Sequence, residues 1–385
     1  MLKMLMIAMS IGFYGQAVYG QPVEASGFET KAKQALLIEE DTGTVLFSKK
    51  DDVPIPPASL TKLMTMEVVF SALESGEISA ETSLPVSENA WRTGGAPSGT
   101  STMFAAVKSS VSVGNLIQGV IVQAANDACI VLAEGLGGSE AKFAGRITDR
   151  AKALGMASSV FGNATGLPDA VSQVTMRDLL ILARHIHSTY PQYYSLYSQE
   201  EFEWNKIRQR NRNPLLRLNM GVDGMAMGYA ESSGYAIVAT MMRDNTRLFL
   251  AMSGLTSDKE RTEEARKILE WGASTFERRK LFEKGAVVGR ASVYGGDATH
   301  LDLVSREPLD VFVPVEAGGR ISAKVLYDWP LRAPIAAGTQ VGTLQVFDGQ
   351  RLLREVPVET VGSVGQGTLA SRARDALQEL LLFWL

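Results

Sequence analysis

Apolar residues first recur with a helical period at Leu60, Leu63, Met64, Val68 and Leu73, directly behind Pro56 and Pro57, which favour extended backbone up to the start of the helix. Upstream, Ala35-Leu36-Leu37-Ile38 and Gly43-Thr44-Val45-Leu46-Phe47 flank the polar stretch Glu39-Glu40-Asp41-Thr42 and predict a β-hairpin. Further helical patterns cover residues 113–133, 140–154 and 176–187. Strand-like runs follow at 235–242 and 247–252, and a long helix at 257–276. Strands near both ends with helices between them predict a mixed α/β sandwich.

From about Ala286 the texture changes to short β-branched runs separated by Gly, Asp and Pro. Leu309-Asp310-Val311-Phe312-Val313 is one, and Val341-Gly342-Thr343-Leu344-Gln345-Val346-Phe347 turns through Asp348-Gly349-Gln350 into Leu352-Leu353. A small all-β domain is expected. The tail, residues 369–385, sets Leu369, Ala373, Leu377, Leu380, Leu381 and Trp384 opposite Arg372, Arg374, Asp375 and Glu379. That pattern predicts an amphipathic helix, too short to cross a bilayer and suited to lying on a membrane surface. At the other end Lys3 precedes an apolar run from Met4 to Phe13, closed by small residues near Val18-Tyr19-Gly20, the layout of a signal peptide. The expected divisions are therefore 1–20, 21–285, 286–364 and 365–385, in a protein outside the cytoplasmic membrane.

Composition narrows the function classes. A chain of 385 residues, 45% hydrophobic and 21% charged, is long enough for two domains and argues against disorder. A net charge of −4, with no Lys/Arg run that marks a phosphate-binding stripe, gives no electrostatic reason to expect nucleic acid as partner. The single cysteine, Cys129, excludes an internal disulfide and reads as a small buried hydrophobe. His185 and His187 diverge on a predicted helix and His300 lies in the other domain, so no metal constellation is expected, nor a Ser-His-Asp triad.

The chemistry concentrates in Pro57-Ala58-Ser59-Leu60-Thr61-Lys62-Leu63-Met64. A hydroxyl and an amine three residues apart share one face of a helix. Serine is a weak nucleophile without a base beside it, and a desolvated, neutral lysine can serve as that base. The pair points to acyl transfer. Ser139 and Lys142 repeat the spacing, with nothing around them to support a site.

The segment around Ser59 resembles the active-site segment of the serine D-alanyl-D-alanine carboxypeptidases, the low-molecular-weight penicillin-binding proteins. Further ordered resemblances are Ile121-Val122-Gln123-Ala124-Ala125-Asn126-Asp127-Ala128, Ala153-Leu154-Gly155-Met156, Asn163-Ala164-Thr165-Gly166-Leu167-Pro168, Asn211-Arg212-Asn213-Pro214-Leu215-Leu216 and Gly221-Val222-Asp223-Gly224-Met225. The resemblance implies a penicillin-recognising fold followed by a β-rich module, a periplasmic location, and removal of the terminal D-Ala from peptidoglycan pentapeptide. No cofactor is implied. It gives Ser59 the nucleophile's role, Lys62 the base's, and Asn126 the grip on a substrate carbonyl, with peptidoglycan peptide or a β-lactam as ligand.

Two of the family's three motifs are altered. At the Ser-x-Asn position, Ala124-Ala125-Asn126 keeps the amide and lacks the hydroxyl that passes a proton between lysine and leaving amine. At the Lys-Thr-Gly position stands Ala226-Met227-Gly228, followed by Tyr229. Gly228 still permits close approach to the strand, while the lysine that would bind the substrate carboxylate is replaced by Ala226. Losing such a charge-assisted hydrogen bond costs about 1.5–3 kcal/mol, roughly one to two orders of magnitude in affinity or rate. Tyr229, and the serines of Pro97-Ser98-Gly99-Thr100-Ser101-Thr102, are candidates for relocated roles. The expectation is a carboxypeptidase of impaired activity. The alternative is an inactive homologue that binds peptidoglycan or a cell-wall protein.

Overall fold

A computed structural model gives the architecture and describes residues 28–315 and 321–382. The expected signal peptide at 1–20 and the end of the tail, including Trp384, lie outside the described residues. The hairpin forms as the pattern predicts, with β1 (Gln34–Glu39) antiparallel to β2 (Val45–Lys49). Strands β3 (Val222–Ala230), β4 (Gly234–Arg243) and β5 (Thr246–Leu255) join them in one antiparallel sheet of order β2-β1-β5-β4-β3. β3 is thus an outer strand.

Both faces of this sheet are covered, which is why β4 and β5 read as nearly continuous apolar runs. Successive side chains point to opposite faces. Leu36, Ile38, Val238 and Phe249 enter a large core shared with α1 (Thr61–Glu74), α2 (Val113–Gln123), α3 (Asn126–Gly137), α4 (Glu140–Ala153) and α5 (Met176–Thr189). Leu37, Ile237, Leu248 and Leu250 pack instead on Ile268 and Leu269 of α6 (Asp258–Thr275). Ser112, Ser139, Thr175 and Ser257 cap α2, α4, α5 and α6 by accepting from backbone N–H groups of the first turn. The second Ser-x-x-Lys is therefore a cap, with Ser139 accepting from the Lys142 amide.

Two sequence expectations change. Residues 113–133 are not one helix: Ala124 adopts left-handed backbone at φ 56°, ψ 37°, Ala125 is extended, and α3 starts afresh at Asn126. The apolar period continues on both sides of the break, so the pattern gave no sign of it. The break is fixed by the Ala125 amide donating to Gly119 and the Asn126 amide donating to Ser101 across the chain. Second, α1 is buried well beyond the apolar stripe that its sequence marks. It runs through the middle of the core, with Thr61, Lys62, Thr65 and Glu67 buried beside its apolar residues.

Behind this domain, β6 (Phe276–Phe282) pairs with β9 (Leu309–Pro314). A six-stranded sheet of order β10-β12-β13-β8-β7-β11 contains β7 (Val287–Tyr294), β8 (His300–Val304), β10 (Ile321–Tyr327), β11 (Leu331–Arg332), β12 (Gln340–Asp348) and β13 (Arg351–Thr360). The expected division at 285/286 falls in the connection between β6 and β7. This module has its own core around Leu303, Val311, Leu344 and Val358. Phe276 and Phe312 stack 6.0 Å apart in the core of α6, and Arg278 reaches Glu39 at 3.2 Å and also pairs with Asp41. Helix α7 (Leu369–Leu382) follows, with its Asp375 accepting from the Gly295 amide at 2.9 Å.

Candidate active site

Ser59 lies half-buried in the 3-10 turn Ala58–Leu60, which leads directly into α1. Lys62, in the first turn of α1, donates from Nζ to Ser59 Oγ at 3.1 Å and to the Thr165 carbonyl at 2.6 Å. Burial pushes the Lys62 amine below its ordinary 10.5, since an ammonium loses its hydration there. The neighbouring thiol does not oppose this at neutral pH: burial pushes Cys129 up to about 12, which leaves it uncharged.

The acceptor of Lys62 is set by the loop at Asn163–Leu167. Asn163 Oδ1 accepts from the amides of Thr165 at 3.0 Å and Gly166 at 2.6 Å, and Thr65 Oγ1 donates to the Ala164 carbonyl at 2.7 Å. The outer strand closes on the nucleophile from another side. A Cβ on Gly228 would lie 3.1 Å from the Ser59 amide nitrogen, a tight contact that the glycine spares as β3 runs past the turn.

Asn126 opens α3, two residues beyond Ala124. Its Nδ2 donates to Thr100 Oγ1 at 2.9 Å, and its Oδ1 is buried without a protein partner. The 98–102 loop is held against it by Asp127, which accepts from the Thr102 hydroxyl at 2.6 Å and the Met103 amide at 3.0 Å. Ser98 bonds within that loop, to Gly95 and Thr100.

Ser59, Lys62, Ala124, Ala226 and Met227 all line one pocket of ≈ 30 Å³. The replaced motif positions therefore converge on the lysine, and the surface they give it is apolar. Gly228 touches the Ser59 turn from outside this pocket. Tyr229 is not in the pocket: it is 56% exposed, its ring lies tilted at 42° to that of Tyr235 with centroids 4.5 Å apart, and it lines a separate cavity of ≈ 410 Å³ with Pro57, Leu167 and Glu231. Sequence reasoning missed Tyr197 and gave Arg212 and Asn213 no role, although all three line the smaller pocket. The Asn211-Arg212-Asn213 resemblance was a usable signal for two of them; Tyr197 sits among several tyrosines with no pattern to single it out.

His185 and His187 go to different carboxylates, Glu67 at 3.2 Å and Glu40 at 2.8 Å. No metal-holding group of His, Cys, Asp and Glu occurs among the described residues.

Fold and site together define a penicillin-recognising α/β domain with a Ser-x-x-Lys pair under an outer strand, followed by an all-β module. Residues 21–255 match the family described as D-alanyl-D-alanine carboxypeptidase, and residues 276–365 match the penicillin-binding protein 5 C-terminal domain. The chain belongs to the D-alanyl-D-alanine carboxypeptidase family. It is 34% identical over 346 residues to D-alanyl-D-alanine carboxypeptidase DacD of Salmonella typhimurium, covering 89% of each chain. It is 34% identical over 359 residues to carboxypeptidase DacC of Escherichia coli, covering 92% of this chain and 89% of that one. Among solved structures, penicillin binding protein 5 from Haemophilus influenzae superposes with a TM-score of 0.79 at 31% identity, over 89% of this chain and 99% of that one.

Proposed function

We propose that this chain is a serine D-Ala-D-Ala carboxypeptidase that releases terminal D-Ala from peptidoglycan stem peptides through an acyl-Ser59 intermediate, at a reduced rate. The observation that carries the reading is the 3.1 Å contact between Lys62 Nζ and Ser59 Oγ, made by a lysine that burial drives toward its neutral form. As an amine, Lys62 takes the Ser59 proton while Oγ attacks the substrate carbonyl. The amides of Ser59 and Tyr229 receive the developing oxyanion, and the free edge of β3 aligns the peptide. Asn126 holds the peptide carbonyl with its side-chain amide. The rate is reduced because Ala226 offers no cation to the terminal carboxylate, a loss of about 1.5–3 kcal/mol. β-Lactams are ligands of the same site, in keeping with the naming of the Haemophilus influenzae relative as a penicillin binding protein.

The test is labelling with a fluorescent penicillin, with Ser59→Ala as control and intact-mass analysis after long incubation. Slow labelling that Ser59→Ala abolishes is expected. No adduct at millimolar drug would remove the acyl-enzyme reading and favour a peptidoglycan- or partner-binding role.

The same reading puts the protein in the periplasm, exported by residues 1–20 and held on the outer face of the cytoplasmic membrane by α7. No helix among the described residues is long and apolar enough to cross a membrane. Support for surface attachment comes from the apolar side of α7, where Leu369 is 81% and Leu377 68% exposed. Deleting residues after Val364 is expected to move the protein from the membrane pellet to the soluble fraction, with a modest loss of stability because the bonds from Gly365 and Asp375 to Asp297 and Gly295 go with it. Unaltered fractionation, once signal cleavage is established, contradicts the anchor.

A further inference from the structure

Of Tyr197, Asn211, Arg212 and Asn213, which line the Ser59 pocket and are not used in the steps above, only Tyr197 has a buried side-chain polar atom without a protein partner. Tyr197, in the 3-10 turn Ser195–Ser198, is only 2% exposed, and its hydroxyl makes no hydrogen bond to protein. It lines the same pocket as Lys62 and Ala124. A hydroxyl buried without a partner costs about 1–3 kcal/mol, so groups of this kind ordinarily find one. The pocket supplies the room. Its ≈ 30 Å³ is at least twice the ~10–15 Å³ that one water needs. Lys62 and Ser59, which line the same pocket, add two further polar side chains of the kind a buried water bonds. The pocket also lies where the family's proton-carrying serine is replaced by Ala124.

We propose that Tyr197 positions a water in this pocket, and that this water carries the proton that a hydroxyl at position 124 would otherwise carry. The inference rests on the acyl-enzyme reading. As the Ser59 Oγ–carbon bond forms, the Ser59 proton passes to Lys62 Nζ. The resulting ammonium gives one proton to the water, and the water gives one of its own to the leaving nitrogen as the carbon–nitrogen bond breaks. Lys62 returns to the amine and the water to water, so no net proton is gained or lost. Tyr197 keeps its proton throughout, because burial pushes the phenol far above its ordinary range. It acts as a donor and acceptor that fixes the water, and is a positioning residue.

Two measurements test this. The first compares Tyr197→Phe, Ala124→Ser and the double variant for the rate of β-lactam acylation across pH. Tyr197→Phe alone is expected to slow acylation by about tenfold and to displace the pH–rate profile, because a relay step has become limiting. In the Ala124→Ser background the same change is expected to have no effect, since the serine hydroxyl occupies the relay position itself. An equal loss in both backgrounds, or no loss in either, overturns the relay. The second is a high-resolution crystal structure of the unaltered protein, in which a water within hydrogen-bond distance of both Tyr197 Oη and Lys62 Nζ is expected. A dry pocket in a protein that is acylated overturns the relay alone. A protein that is never acylated overturns the acyl-enzyme reading and the relay with it.

Discussion

A methyl group on Gly166 would lie 1.7 Å from the carbonyl oxygen of Ala58, because the loop that offers Thr165 to Lys62 presses on the turn that carries Ser59. Gly166 also holds φ +78°, which an alanine would resist. The lysine's acceptor and the nucleophile's backbone are therefore one packed unit. Gly166→Ala is expected to cost about 2–4 kcal/mol in stability, from strain and overpacking together, and to cut acylation by more than tenfold. Chemical denaturation and penicillin labelling measure the two effects; a variant that labels at the parent rate would show that the loop does not position Ser59.

Burial lowers the Lys62 pKa, and the acylating form is the amine. Acylation should thus rise with pH and level off, with a midpoint below the 10.5 of an exposed lysine. The sign for stability follows from the same shift. The unfolded chain holds the proton more tightly than the folded one, so Lys62 opposes folding below its folded-state pKa, and this opposition fades as pH rises to 10.5. Lys62→Met is expected to raise stability more at pH 6 than at pH 10, measured by denaturant midpoints at the two values.

Ala226 and Met227 lie on β3 and line the pocket beside Lys62. Ala226→Lys with Met227→Thr should then return a cation to the cleft and raise acylation by roughly ten- to a hundredfold. Adding Ala124→Ser should mainly speed the proton-transfer steps. A fall in rate on restoring the lysine would mean that the cleft has changed shape around its new side chains.

Ala124 holds left-handed backbone without the glycine or asparagine that usually tolerates it, at a cost of about 1 kcal/mol. Ala124→Gly is expected to stabilise the protein by about 0.5 kcal/mol, part of the relief being offset by the freer unfolded chain. A loss of stability on calorimetry would show that the alanine methyl packs better than its backbone suffers.

Much of the fold was legible because the signals were local. The β1–β2 hairpin follows from two apolar runs around an acidic turn, and α6 from the long helical segment at 257–276. The Ser59–Lys62 pair was legible because one helical turn sets it. What escaped was decided by distant chain. The Ala124 break depends on a carbonyl from Ser101, and the acceptor of Lys62 comes from Thr165, 103 residues away. Tyr197 shares the pocket with residues of α1, α2 and β3 that are distant in the chain, so no spacing in the sequence announces it.

Because β3 is outermost among the described strands of its sheet, one row of its peptide groups has no neighbouring strand. Those groups are the same whichever side chains stand at 226 and 227. An extended peptide laid along them as a sixth strand gains affinity from main-chain hydrogen bonds that do not depend on those side chains. Capture and cleavage are therefore separable in this architecture: a chain with Ser59 removed, or with its proton route blocked, still presents a template on which a stem peptide can be held.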